Sequence, residues 1–195
     1  MIHTMANRIA YFFVQKEIVE QDKSEIYSYG MELMIATAVN VALIIASALI
    51  MGVFWQTMLL LIPFVLLRRL AGGFHAKTHF GCAAGFLSAF WTSIMAIRII
   101  PAGALTIAAA VMLITGSAVF LWIGAIAHEN RAVDEDEYRS FILKARLTTL
   151  LLLCAGGIGL YFLPDWFTWF SFGLAIAAGS LLAAQMQIIS ERMNG

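Results

Sequence analysis

Charge is scarce in this sequence. Asp, Glu, Lys and Arg make up 12% of 195 residues, half of the roughly 25% found in an average soluble domain. So few charged groups cannot cover the surface of a globule this size, which excludes a water-soluble single domain and a disordered chain. Net charge is absent too: twelve Lys and Arg balance twelve Asp and Glu, and no basic excess exists to hold a nucleic acid. Two cysteines cannot build a disulfide framework. What abounds is apolar: 62% of the residues are hydrophobic and the mean hydropathy is +0.87. The class left standing is an integral membrane protein, with the lipid bilayer as its first partner.

Uncharged stretches divide the chain. Residues 33–67, 80–97, 99–127, 147–164 and 166–190 carry no Asp, Glu, Lys or Arg. A helix crossing about 30 Å of hydrocarbon needs roughly 20 apolar residues. The first stretch, 35 residues long, would reach about 52 Å as one straight helix. It is expected to fold back near residues 52–56, giving two spans, the second bent at Pro63. That makes about six transmembrane helices in an all-α, polytopic fold. With an even number of spans both termini share a side. Placing them inside puts eleven of the twelve Lys and Arg on the cytoplasmic face and Arg98 alone outside, as the positive-inside bias requires.

The first thirty residues differ in kind. The apolar run at residues 9–14 is too short for a signal peptide and is followed at once by Lys16 and Glu17. Ile9, Phe12, Phe13, Ile18, Val19 and Ile26, interleaved with charges, read as an amphipathic helix on the inner membrane surface. The expected organisation is therefore an interfacial segment, 1–30, ahead of a transmembrane domain, 31–195. The acidic run at 134–137 reads as a solvated turn. Clustered Gly and Ala (Gly81 and Gly85; Gly156, Gly157 and Gly159; Ala177, Ala178 and Gly179) serve close packing within the chain at least as readily as a homodimer.

One segment carries chemistry: the short inner loop 68–82, RRLAGGFHAKTHFGC. Gly72-Gly73 breaks a helix and lets the backbone approach something closely. Cys82 then falls in the first turn of the next span. The reactive form of a cysteine is the thiolate, which a helix N-terminus or a neighbouring His favours. His75 is placed to take the thiol proton and return it to a leaving group, and amides at the helix start could hold an oxyanion. Geometry sets a condition. Residues seven apart on an unbroken helix lie about 10.5 Å apart along its axis, far beyond hydrogen-bond reach, so His75 and Cys82 can cooperate only if the chain between them is not one unbroken helix.

Rival readings use the same residues. Cys82 could be a small packing residue on the Gly81/Gly85 face. His75, His79 and Cys82 on one continuous helix could ligate zinc, with His128 as a distant fourth group. His75 could be an interfacial side chain with its ring among headgroups. Arg68 either binds a substrate carboxylate or anchors its span at the headgroups. A small transporter or channel, with the Gly-rich loop lining its pathway, is the alternative function. It would call for paired broken helices or charges deep in spans, and the sequence shows one break and charges only at span ends. Cys154, among leucines and glycines, reads as core.

The pattern of a basic helix end, Gly-Gly-x-His-Ala and a Cys seven residues after the His resembles the accessory gene regulator B (AgrB) family of membrane-embedded cysteine endopeptidases. The chain length, amphipathic N-terminus, several spans and charged inner loop are similar as well. The resemblance implies that Cys82 and His75 are catalytic and that Arg68 and Gly73 complete the family pattern in a supporting or substrate-binding role. It implies a small AgrD-like quorum-sensing propeptide as partner, cut near its C-terminus through an acyl-enzyme that leads to a cyclic thiolactone or lactone autoinducer peptide. It also implies a cell-membrane location with termini and active-site loop cytoplasmic. Neither a metal nor another cofactor enters that chemistry.

Overall fold

The structure, a computed structural model, describes residues 2–16, 21, 24–74, 78–126 and 135–194. Among the described residues the seven elements are α-helices: α1 Ile2–Gln15, α2 Ser24–Ile50, α3 Phe54–Ala71, α4 His79–Ile99, α5 Ala102–Ile123, α6 Glu135–Phe162 and α7 Pro164–Asn194. Contacts gather them into two compact units, Met1–Gly52 and Val53–Gly195.

In the first unit α1 packs on α2. Ala6 and Ala10, one turn apart, are buried, whereas Met5, Tyr11 and Phe12 are exposed. Lys16 places its Nζ 5.9 Å from the centroid of the Phe12 ring. The amphipathic helix occupies only the first half of the segment 1–30: it ends at Gln15, and Ile26 already belongs to the long helix α2. Ile18 and Val19 lie outside the described residues.

The uncharged stretch 33–67 is divided as its length requires. Helix α2 stops at Ile50 and α3 starts at Phe54. Gly52, at φ +68°, takes the left-handed conformation that ends α2, a position cheap only for glycine. Pro63 is accommodated inside α3, which runs on to Ala71.

The second unit is organised around α7, which packs along α3, α5 and α6. Small residues make this possible. A methyl group at Gly173 would run into the backbone carbonyl of Leu60 on α3, and one at Gly116 on α5 would sit 2.5 Å from Leu174 Cδ2. Leu67, Leu113, Phe120, Leu152, Phe170, Leu174 and Leu181 form the core between these helices. Helix α4 meets α7 and sets Phe86 against Phe64 of α3, ring centroids 4.2 Å apart. Of the clustered small residues, Gly156 and Gly159 face Leu113 and Phe167, whereas Gly85, Gly157 and Gly179 face open space.

The outer surface is apolar. Leu66, Ile107, Val111, Ile114, Leu147, Leu151 and Ile158 are exposed, an arrangement that suits lipid and not water. Trp55, Trp122, Tyr161 and Trp166 stand exposed near helix ends, the level at which aromatic side chains meet headgroups. Among the described residues five helices are long and apolar enough to cross a membrane: Phe54–Ala71, Phe80–Ile99, Ala102–Ile123, Tyr138–Phe162 and Pro164–Met193, and α2 adds the apolar stretch Ala38–Ile50. The protein is an all-helical, multi-pass membrane protein.

Candidate functional site

The loop between α3 and α4 meets the condition set by the His75–Cys82 spacing. Helix α3 ends at Ala71, residues 72–74 are non-helical, and α4 begins at His79. Two glycines make the exit: Gly72 at φ +79° and Gly73 at φ +155°. Gly81 lies inside α4. Thr78 is extended, at φ −131° and ψ 144°, and its side chain accepts a hydrogen bond from the Gly81 N–H, 3.1 Å long. This is the usual way a threonine starts a helix. The Cys82 N–H donates to the Thr78 carbonyl at 3.1 Å, which puts Cys82 in the first turn of α4, half-buried and a free thiol.

Those two bonds define what the helix start offers a ligand. The first four amides of a helix have no acceptor within it. Here the cap takes up Gly81, so the amides of His79 and Phe80 are the ones near Cys82 that the helix geometry leaves without an internal acceptor.

Arg68, on the last turn of α3, organises the loop. Its Nη1 donates to Ser180 Oγ of α7, and its Nη2 donates to the Phe74 carbonyl at 2.5 Å. The Phe74 N–H in turn donates to the Ser180 carbonyl at 2.9 Å. Guanidinium, loop peptide and α7 thus close a ring of three hydrogen bonds. Gly73 sits inside it, buried. A Cβ there would lie 2.6 Å from Ser180 Oγ and 3.1 Å from Arg68 Cζ. The Arg68 guanidinium is also within electrostatic range of Cys82.

The segment after α5 is stitched to the same place. The Ile126 N–H donates to the Ala71 carbonyl at 2.9 Å, and Tyr138 of α6 donates from its hydroxyl to the Ala125 carbonyl at 2.9 Å. The segments that follow α3 and α5 therefore start from one seam.

Arg68, Gly73 and Cys82 are thereby placed: the first two touch, and the third is within electrostatic range of the first. His75 lies outside the described residues, as do the 127–134 segment and the His79 side chain. Arg68 is held by the protein's own acceptors, Ser180 Oγ and the Phe74 carbonyl. Gly85, on the face that the packing reading gave to Cys82, faces open space. The zinc reading needed one helix through 75, 79 and 82, and α4 begins only at His79. Among the described residues α2 to α7 each run unbroken, so the paired broken helices of a transporter have no counterpart there. Two participants were not singled out by sequence reasoning. Thr78 was readable as a cap, a Thr just before an apolar run. Ser180 carries no such signal.

The family model of accessory gene regulator B matches residues 6–190, nearly the whole chain and all of the loop. No curated protein and no solved structure matches the chain.

Proposed function

This chain belongs to the accessory gene regulator B family, and from that premise we propose that it is a membrane-embedded cysteine endopeptidase acting on a small AgrD-like signal precursor at the cytoplasmic face. The observation that supports this most is the placement of Cys82 in the first turn of α4, after a break in the helix and within electrostatic range of Arg68. A half-buried thiol at a helix start, within electrostatic range of a guanidinium and within one turn of amides that have no acceptor inside the helix, is in the environment a cysteine nucleophile uses.

In this reading His75 takes the proton from Cys82, and the sulfur attacks the carbonyl carbon of a peptide bond near the precursor's C-terminus. Charge develops on the carbonyl oxygen, and the His79 and Phe80 amides are the nearest donors for it. The C–N bond breaks, His75 gives its proton to the departing amine, and a thioester joins Cys82 to the N-terminal part of the precursor. A thiol or hydroxyl within that bound part then attacks the thioester carbonyl, closing a thiolactone or lactone and returning the proton and the free thiol to Cys82. Attack by water instead gives a linear product. Arg68 and Gly73 support the site by fixing the loop that leads into His75.

The test is incubation of proteoliposomes holding the protein with a synthetic AgrD-like precursor, followed by mass spectrometry of peptide and protein. Release of the C-terminal fragment and an acyl adduct on Cys82 are expected. Cys82→Ser and His75→Ala are expected to abolish cleavage, and Cys154→Ala to leave it intact. Normal cleavage by Cys82→Ala would sink the proposal.

A further inference from the structure

Hydroxyl side chains inside the apolar helices mostly do one thing. Thr57, Ser88, Thr92, Ser93, Thr106, Thr115, Thr149 and Ser171 each donate to the carbonyl four residues before them. That satisfies the hydroxyl locally and makes no connection to another helix. Ser180 departs from this habit. Its Oγ accepts from the Arg68 guanidinium on α3, and its backbone carbonyl accepts from the Phe74 amide in the loop. It lies on the inner half of α7, between Gly179 and Leu181, in the stretch 166–190 that has no charge of its own. One residue therefore meets both the cation and the loop peptide, and the cation closes the ring by donating to the Phe74 carbonyl.

We propose that Ser180 is a positioning residue for the peptidase reaction: it aims the Arg68 guanidinium and pins the Phe74 peptide, fixing the end of the loop from which the chain continues into His75. The inference rests on the peptidase reading for its kinetic consequence, but its geometric content does not. Ser180 acts through Arg68 and touches no reacting atom. Without the hydroxyl, a guanidinium held at two points becomes one held by the Phe74 carbonyl alone, and its direction is no longer fixed. A Lys at position 68 could not repair this, since the two contacts need the two arms of a planar fork.

Two measurements on the full-length protein in proteoliposomes separate the inference from the reading beneath it. The first is the rate of Cys82 alkylation by iodoacetamide in the Cys154→Ala background, which needs no peptidase activity. Ser180→Ala is expected to slow it several-fold, Ser180→Thr to leave it near the parent rate, and Ser180→Ala to add nothing further once Arg68 is already Lys. The second is cleavage kinetics on the synthetic precursor. There Ser180→Ala is expected to lower kcat about tenfold, the loss of one hydrogen bond to a charged group, with KM unchanged and Ser180→Thr restoring kcat.

An unchanged alkylation rate in Ser180→Ala overturns the inference, and so does a loss that adds in full to that of Arg68→Lys, because Ser180 would then act independently of the cation. A fall in KM-dependent binding without a change in kcat overturns it as well. If the parent protein alkylates as described but never cleaves the precursor, the peptidase reading fails while the positioning of Arg68 by Ser180 stands.

Discussion

Gly72 and Gly73 offer a controlled comparison, because both have positive φ, +79° and +155°, yet their surroundings differ. An alanine at either position is forced into a conformation that costs an L-residue about 1–3 kcal/mol. At Gly72 that is nearly the whole penalty, since the added methyl meets only the Ile126 carbonyl at 3.5 Å, ordinary contact. At Gly73 the methyl lies 2.6 Å from Ser180 Oγ and overlaps the Arg68 guanidinium, so Arg68 must leave its place. A hydrogen bond to a charged group contributes about 1.5–3 kcal/mol. Gly73→Ala is therefore expected to lose that much more than Gly72→Ala, a further factor of roughly 10–150 at about 1.4 kcal/mol per tenfold. The assay is kcat/KM for precursor cleavage by both variants in proteoliposomes, repeated with Arg68→Ala present. In that background the extra loss at position 73 should shrink, because the guanidinium that the methyl displaces is already gone. Equal losses for the two variants, or an extra loss at position 73 that persists undiminished without Arg68, would refute the crowding of the guanidinium as its cause.

Gly173→Ala is expected to destabilise the protein in detergent by about 1–3 kcal/mol, read as a lower thermal midpoint, because its methyl collides with the Leu60 backbone. Gly157→Ala, with nothing within 4 Å of its added methyl, should be neutral or stabilising by up to about 1 kcal/mol. A membrane-impermeant thiol reagent should label Cys82 of the Cys154→Ala protein in inside-out vesicles and not in intact cells, and labelling from the cell exterior would reverse the topology. Tyr138→Phe removes the 2.9 Å bond to the Ala125 carbonyl and should cost about 1 kcal/mol, measured in the same melts.

The sequence announced those features that follow from local quantities. The stretch 33–67 is too long for one span, and the chain divides at Gly52 as its length requires. Gly72-Gly73 foretold the end of α3, and the distance along a helix set the condition that the helix be interrupted if residues 75 and 82 are to cooperate. The small residues were visible as a class, but which of them pack was not: Gly173, outside the noted clusters, makes the tightest approach to α3, while Gly85, Gly157 and Gly179 face open space. That depends on how α3, α5 and α6 lie against α7, which no local pattern records. Ser180 was illegible for the same reason. A serine in an apolar helix ordinarily bonds its own preceding turn, and only the arrival of Arg68 from a distant helix gives it another use. The N-terminal segment was legible in character and not in extent, because charges interleave with apolar residues on both sides of the place where α1 ends.

The close passage of α3 and α7 has a bearing on how accurately the loop is held. Leu60 and Gly173 touch where the helices are nearest, and Arg68 and Ser180 meet farther along the same two helices, so the two run in the same direction. The separation is eight residues on α3 and seven on α7, or about 12 Å and 10.5 Å of rise. The glycine contact is thus the pivot of a two-armed lever whose far ends hold the guanidinium and its acceptor. Widening the helices at the pivot by a fraction of an ångström is passed along both arms to the loop beside Cys82. The precision of the loop is in this sense set about two helical turns away, at a contact between two apolar helices.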